Sequence, residues 1–243
     1  MKLIKLNAID STNSFLKDLA QNTILENKTV VTATEQLKGR GQMGTEWSSE
    51  ANKNLLCSVF FRFNKLAISH QFYLNFGVAL AVFDTLKKYD LPKLAIKWPN
   101  DILSEKSKIS GILVENVITN RQIQSSIIGI GVNVNQEKFP ANLLQVTSMK
   151  RQLEKDVSID QLLVDLVAEL SKNIELLEKG AYKTLEKRYL EVLYKKNTPM
   201  MFRNRQSTLF MGMIIGVTSY GKLQIQLDDD TIKEFGIKEV SFA

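Results

Sequence analysis

The sequence predicts an α+β protein in which helices flank a mixed β-sheet and a small β-barrel follows at the C-terminal end. Two observations support this fold class. Short β-branched runs alternate with helical stripes over the first half of the chain, which is typical of a mixed α and β domain. Residues 198–242 instead contain short alternating segments between turn residues, without helical periodicity. We therefore expect two domains, at residues 1–196 and 197–243.

The N-terminal elements are predicted from caps and periodicity. Residues 2–8 have the pattern of a strand, and a helix is expected to start at Asp10–Asn13, because all four residues are of helix-capping types. Strands are expected at 29–34 and 55–63. A long helix follows, since apolar residues recur at helical spacing: Phe72, Phe76, Ala79, Leu80, Phe83 and Leu86.

The middle of the chain continues the sheet and then becomes helical. Three more strands are expected where β-branched runs are bounded by turn residues, near 94–98, 109–117 and 122–130. Ser158 and Gln161 have the spacing of a capping box, which predicts a helix to about Lys179. A second helix is expected at about 181–196.

The composition restricts the cellular compartment and the kinds of binding partner that we expect. No apolar run approaches the roughly 20 residues of a membrane span, and the N-terminus becomes polar too early for a signal peptide. We therefore expect a cytoplasmic protein without a membrane partner. The formal charge of +6 favours anionic ligands, but the scattered lysines are more typical of solvated helix faces than of a nucleic-acid-binding stripe.

The scarcity of cysteine and histidine limits the chemistry. The only cysteine, Cys57, lies in an apolar run and is expected to be a buried thiol; the only histidine, His70, lies at an expected helix start. These are too few for a zinc site or for a Ser-His-Asp or Cys-His nucleophile, and no residue is assigned to a metal. Catalysis is expected to rest on lysine, arginine, amides, backbone N–H groups and magnesium.

A glycine-rich loop is the most informative segment. Residues 38–47 read KGRGQMGTEW, and the glycines allow backbone N–H groups to approach an anion beside two cations. The spacing also matches a dinucleotide fingerprint and approaches a P-loop. Thr45 stands where a P-loop needs its lysine, and a polar loop follows where the dinucleotide fold needs a helix. A hairpin loop without a ligand is the remaining alternative.

Four further segments contain residues suited to binding or catalysis, and their order along the chain is informative. They are DSTN at 10–13, KWPND at 97–101, KISGILVE at 108–115 and GIGVNVN at 129–135. DSTN supplies hydroxyls and an amide that serve a ligand or only a helix cap. KWPND places a cation, an amide and a carboxylate at one turn, and Gly111 in the third segment is expected to permit close approach of another backbone.

Together with the GRGQMG loop, these segments resemble the biotin protein ligases in order and separation, over roughly residues 10–135. The tail from residue 198 looks like the SH3-like C-terminal domain of that family. The resemblance implies a class II synthetase-like catalytic fold that binds biotin and ATP as substrates, with Mg²⁺ as activator and no tightly bound prosthetic group. Lipoate and octanoate ligases, which share the fold, are the alternative.

The resemblance also implies the site residues. Arg40 and Lys108 are expected to be catalytic. Biotin or its adenylate is expected to contact Ser11, Thr12, Asn13, Gln36, Arg40, Gly41, Gln42, Lys108, Gly111 and Gly131. The nucleotide is expected to contact Trp47, Lys97, Asn100 and Asn133. Many relatives have arginine where this chain has Gln42, so we expect weaker retention of the adenylate, because a neutral amide replaces a charge-assisted hydrogen bond.

The implied reaction brings together two anions, the biotin carboxylate and the α-phosphate of ATP. Catalysis is then mostly positioning and charge neutralisation, which requires no general base. The second step transfers biotin to a lysine of a biotin carboxyl carrier protein. Because the ligand-binding segment begins at Ser11, we expect no N-terminal winged helix and no DNA binding. Sheet edges leave a homodimer possible.

Overall fold

The computed structural model describes residues 2–243 and contains twelve strands and five α-helices in that range. The first part consists of β1 (Leu3–Ile9), α1 (Thr12–Asn22), β2 (Val30–Gln36), β3 (Leu55–Ala67), α2 (Gln71–Lys87), β4 (Ala95–Lys97), β5 (Asp101–Ser104), β6 (Ser107–Thr119) and β7 (Gln122–Val132). The second part consists of α3 (Met149–Leu153), α4 (Ile159–Glu178), α5 (Tyr182–Glu191), β8 (Pro199–Asn204), β9 (Leu209–Val217), β10 (Leu223–Leu227), β11 (Ile232–Phe235) and β12 (Val240–Phe242).

The first sheet has seven strands in the order β1-β2-β3-β7-β6-β5-β4. Strands β1 and β2 pair in parallel, and the other neighbours pair antiparallel, so the predicted mixed sheet is confirmed. The parallel pair is possible because α1 forms the crossover between its strands. Helix α1 begins where the sequence predicted, with the Ser11 hydroxyl accepting the Ser14 N–H.

Helices cover both faces of this sheet. Helices α2 and α4 pack on the larger core with α5, and most of α2 is buried because it contacts the sheet, α4 and α5. Helix α1 covers the other face over a small cluster that includes Leu16, Val31 and Phe60. Because helices cover both faces of the sheet, a ligand that binds at the end of the strands lies on a buried part of the sheet.

The C-terminal strands form a separate antiparallel sheet in the order β11-β10-β9-β8-β12, as expected of a small SH3-like barrel. This sheet contacts the seven-stranded sheet near the end of β4. The Trp98 Nε1–H donates to the Gly221 carbonyl at 3.0 Å, and the Lys97 ammonium lies 5.4 Å from the Phe242 ring centroid. The boundary at residue 197 stays a prediction.

Three element predictions differ from the structure. Helix α5 ends at Glu191 rather than 196, because the next residues pair with β4: Ile96 N–H donates to the Val192 carbonyl, and Tyr194 N–H donates to the Ile96 carbonyl. Strand β5 and helix α3 were not predicted; they have only four and five residues, too few for periodicity. The capping box at Ser158 is half formed.

The Ser158 hydroxyl accepts the Gln161 N–H at 3.3 Å, which confirms the cap. The Gln161 side chain, however, donates to Asp165 instead of returning to the Ser158 N–H.

Among residues 2–243, no helix is both long enough and apolar enough to cross a membrane.

Candidate active site

A cavity of about 700 Å³ lies where the ends of the sheet strands, the glycine-rich loop and the C-terminal sheet meet. It is lined by every residue that the sequence predicted for the ligands except Asn133. The Cys57 side chain lies in the wall, and burial raises the pKa of its thiol to about 12. The expected buried thiol is therefore confirmed, and it stays protonated near neutral pH.

One end of the cavity is a network of uncharged hydrogen-bonding groups. The Gln36 carbonyl oxygen accepts from both the backbone N–H and the hydroxyl of Thr12, at 2.8 and 2.9 Å. The Ser58 hydroxyl lies 2.8 Å from Thr12 Oγ1 and 2.5 Å from Asn13 Oδ1. The N-terminal turn of α1 is therefore linked to strands β2 and β3, and it is rigid where it faces the cavity.

Asn13 sits directly on the sheet above a glycine. Ser58, Gly129 and Leu113 lie side by side on β3, β7 and β6. The Asn13 amide lies over Gly129, where any Cβ would overlap it. Its Nδ2 donates to the Leu113 carbonyl at 3.4 Å and to Glu115 at 2.9 Å. Glycine is required here for close approach of a side chain, which is a common reason for a glycine within a strand.

The glycine-rich loop forms a tight hairpin at the mouth of the cavity. Arg40 and Glu46 form an isolated antiparallel bridge, and the Gly41 N–H donates to the Thr45 carbonyl at 2.6 Å. In this conformation the Gly41 N–H is used within the loop, and Gly41 still lines the cavity. A Cβ at Gly39 or Gly41 would overlap Trp47 or Thr45.

Arg40 lies beside a carboxylate that the sequence-based list of site residues did not include. Its two terminal nitrogens donate to the two oxygens of Glu115, at 3.1 and 3.4 Å, and one of them also donates to the Ser14 hydroxyl at 3.2 Å. This is a two-point contact, which fixes orientation better than a single ion pair. Ser58 was missed as well, because it is the single polar residue in an apolar run.

Lys108 lies at the start of β6. Its ammonium is 2.7 Å from Asp101 Oδ1 and 5.5 Å from the Trp47 ring centroid. The backbone around it is fixed, since the Lys108 N–H donates to the Gln145 carbonyl and its own carbonyl accepts the Thr147 N–H. Because the backbone is fixed and the Lys108 side chain is 36% exposed, the ammonium can reach a ligand.

The Trp47 indole rests on two glycines of the sheet. A Cβ at Gly131 would lie 2.5–2.9 Å from three indole atoms, and a Cβ at Gly111 would lie 2.8 Å from a fourth. The close approach predicted at Gly111 is therefore made by a side chain, and the expectation of a backbone there is wrong. The indole Nε1–H is buried and has no hydrogen-bond partner among the described residues.

The residues predicted to contact the nucleotide divide into two groups. Lys97 and Trp47 line the cavity and have no side-chain hydrogen bond among the described residues. Asn100 lines it too, but its Nδ2 donates to the Ile112 carbonyl at 2.6 Å, which holds the turn before β5. Asn133 is buried away from the cavity and donates to the Thr147 carbonyl at 3.0 Å. The structure does not bring Asn133 to the site.

The C-terminal sheet closes the remaining side, which the sequence did not indicate residue by residue. Lys238 Nζ donates to the Met43 carbonyl at 2.9 Å and so joins this sheet to the glycine-rich loop. The cavity is more basic than acidic: its charged lining residues are Arg40, Lys97, Lys108, Arg203 and Lys238 against Glu46 and Asp101. Within residues 2–243, no group of three His, Cys, Asp or Glu is arranged to hold a metal.

A mixed sheet that carries one concave, basic site with convergent polar groups is the arrangement of a small-molecule-binding catalytic domain. Residues 6–133 match the biotin/lipoate A/B protein ligase family, and the chain belongs to this family. It is 30% identical to the bifunctional ligase/repressor BirA of Bacillus spizizenii, covering 98% of this chain and 71% of that protein.

Other relatives agree with this assignment. The biotin–[acetyl-CoA-carboxylase] ligase of Paracoccus denitrificans is 39% identical over 127 residues, which is 51% of each chain. The structure of the biotin protein ligase of Aquifex aeolicus in complex with biotin and ATP superposes with a TM-score of 0.80 at 25% identity, covering 100% of this chain and 98% of that one.

Proposed function

We propose that this protein is a biotin protein ligase that converts biotin and ATP to biotinyl-5′-AMP and then transfers biotin to a lysine of a carrier protein. The observation that carries the proposal is a single cavity with an uncharged hydrogen-bonding network near one end and Lys108 with Lys97 further along its wall. Relatives named as biotin–[acetyl-CoA-carboxylase] ligases support the same reaction.

The uncharged network suits the ureido ring of biotin. That ring has one carbonyl acceptor and two N–H donors, so a complementary site needs both donors and acceptors. Thr12, Gln36 and Ser58 supply hydroxyl and amide groups that are held by one another, and Asn13 of α1 supports them through its contact with Ser58. A site that is already ordered loses little conformational entropy when the ligand binds.

The cations suit the reacting end of biotin. Its carboxylate is ionised at neutral pH and must approach the negative α-phosphate of ATP. Lys108 and Arg40 are assigned to neutralising this charge, with Lys108 at the junction of carboxylate and phosphate. Fixed cations in a partly enclosed site stabilise developing charge without reorganisation during the reaction. Attack by the carboxylate oxygen on the α-phosphorus releases pyrophosphate.

The nucleotide is assigned to the side closed by the C-terminal sheet. Trp47, resting on Gly111 and Gly131, offers an aromatic surface, and Lys97 offers a cation. Asn100 is assigned to holding the turn that carries Asp101 rather than to direct contact. Mg²⁺ is assigned to the ATP phosphates, because magnesium keeps several waters and needs few carboxylates; no residue of this chain is assigned to it.

In the second step the amine of an acceptor lysine attacks the activated carbonyl carbon and AMP leaves. The partner is a biotin carboxyl carrier protein or domain, in line with the names of the relatives. The proposal includes a catalytic domain at 1–196, a C-terminal domain at 197–243 and action in the cytoplasm, where ATP is available. A homodimer and the absence of DNA binding stay predictions from the sequence.

The alternative substrates are lipoate and octanoate, which the family description leaves open. The test is ATP–pyrophosphate exchange with each acid in turn, since exchange reports adenylation without any carrier protein. Biotin should support exchange at micromolar concentrations, and octanoate and lipoate should not. Exchange that depends on octanoate or lipoate, with none from biotin, would replace this proposal by the alternative.

A further inference from the structure

Glu115 joins three parts of the site but lies outside the cavity lining. It projects from β6, and its carboxylate receives the Arg40 guanidinium on both oxygens and the Asn13 amide at 2.9 Å. Lys17 of α1 lies 4.0 Å away. The Glu115 side chain is 21% exposed, so these contacts are better shielded than a pair on the open surface.

We propose that Glu115 is a positioning residue for biotin, one that holds Arg40 at the mouth of the cavity and sets the direction of the Asn13 amide. The inference rests on the proposed function. It differs from the assignment of Arg40 itself, because Glu115 acts through its neighbours and does not touch the ligand.

The effect on Arg40 follows from the geometry of the loop. Arg40 belongs to a hairpin whose glycines give the backbone many accessible conformations when the contacts are absent. Its side chain is 45% exposed and would sample several rotamers without a partner. The two-point contact with Glu115 ties the hairpin to β6, which is inside the sheet. The guanidinium is therefore placed before biotin arrives.

The effect on Asn13 follows from charge. An amide can present either its oxygen or its NH₂ group to a neighbour, and a carboxylate accepts only from NH₂. Nδ2 therefore faces the Glu115 carboxylate, and Oδ1 faces Ser58. The single proton of the Ser58 hydroxyl is then donated to Asn13 Oδ1, so the carboxylate determines the direction of this hydrogen bond.

The test compares Glu115→Gln with a matched control. Gln keeps the shape but removes the charge and the preference for the NH₂ group, so we expect the biotin Kd and the biotin KM to rise about tenfold, as for losing one charge-assisted hydrogen bond. The ATP KM should stay within about twofold, because Glu115 contacts none of the residues assigned to the nucleotide. Glu105→Gln removes a 3.1 Å surface pair with Lys93 and should leave the biotin Kd unchanged.

Two further variants separate positioning from general stability. Glu115→Asp retains the charge and should recover most of the affinity for biotin. In an Arg40→Met background the effect of Glu115→Gln should become clearly smaller, because the two changes act on one contact. A melting temperature that falls equally in the Gln and Asp variants, with equal biotin affinity at 25 °C, would contradict the proposal.

The outcomes also distinguish this inference from the proposed function. Wild-type protein that binds biotin while Glu115→Gln binds it equally well overturns only the role of Glu115. Wild-type protein that neither binds biotin nor catalyses biotin-dependent exchange overturns the proposed function. A selective rise in the biotin Kd of Glu115→Gln supports both.

Discussion

Lys108→Ala removes the cation that we assign to the reacting carboxylate and phosphate. In the structure its ammonium contacts Asp101 at 2.7 Å and lies over Trp47. The pair is partly exposed, and such pairs contribute about 0–1 kcal/mol to stability. The fold should therefore survive the substitution, so that any large effect reports on chemistry.

The magnitude follows from the charge that is lost. A unit charge about 4 Å from a phosphate oxygen interacts by about 4 kcal/mol when the effective dielectric constant is about 20. If this interaction is made mainly in the transition state, adenylation should slow by about a thousandfold. The substitution also leaves Asp101 as an unpaired carboxylate near the phosphate, which acts in the same direction.

Biotin-dependent pyrophosphate exchange at saturating biotin and ATP measures this rate. Lys93→Ala is the matched control, because Lys93 pairs with Glu105 at a similar distance on the exposed surface and should keep the wild-type rate. A folded Lys108→Ala variant with near-normal exchange would refute the assignment and would point to Lys97 as the next candidate.

Three further predictions concern the loop and the floor of the cavity. Gly131→Ala should weaken ATP binding about tenfold, since its Cβ would displace Trp47, whose indole atoms lie 2.5–2.9 Å from that position; unchanged affinity by calorimetry would contradict this. Gln42→Arg should slow the dissociation of biotinyl-AMP by adding a charge-assisted hydrogen bond; equal release rates for variant and wild type would refute it. Biotin should protect residues 38–50 from proteolysis by ordering the loop; an unchanged cleavage rate argues against loop closure.

Much of the fold follows from local pattern. The helical stripe at Phe72–Leu86 and the capping residues at Asp10–Asn13 predicted α2 and the start of α1, because periodicity and capping act over a few neighbouring residues. The end of α5 could not be predicted this way. Residues after Glu191 continue an apolar pattern, and only pairing with β4 diverts the backbone out of the helix.

The site residues could be predicted where one short sequence motif contains several functional groups. Arg40 and Lys108 lie in segments that combine glycine with a cation, and both line the cavity. Ser58 could not be assigned, because it lies within an apolar run. Glu115 ends the KISGILVE segment but was not assigned, because Arg40 and Asn13 become its partners only in the folded chain. Asn133 shows the converse, since its motif suggests a ligand contact and its side chain binds the backbone.

The central claim is that the cavity joins biotin to the α-phosphate of ATP, and direct detection of the product tests it most directly. Purified protein is incubated with biotin, ATP and Mg²⁺, and the small molecules are analysed by mass spectrometry. The account predicts biotinyl-AMP and pyrophosphate only when all three components are present. Protein that binds both substrates yet forms no biotinyl-AMP would contradict it.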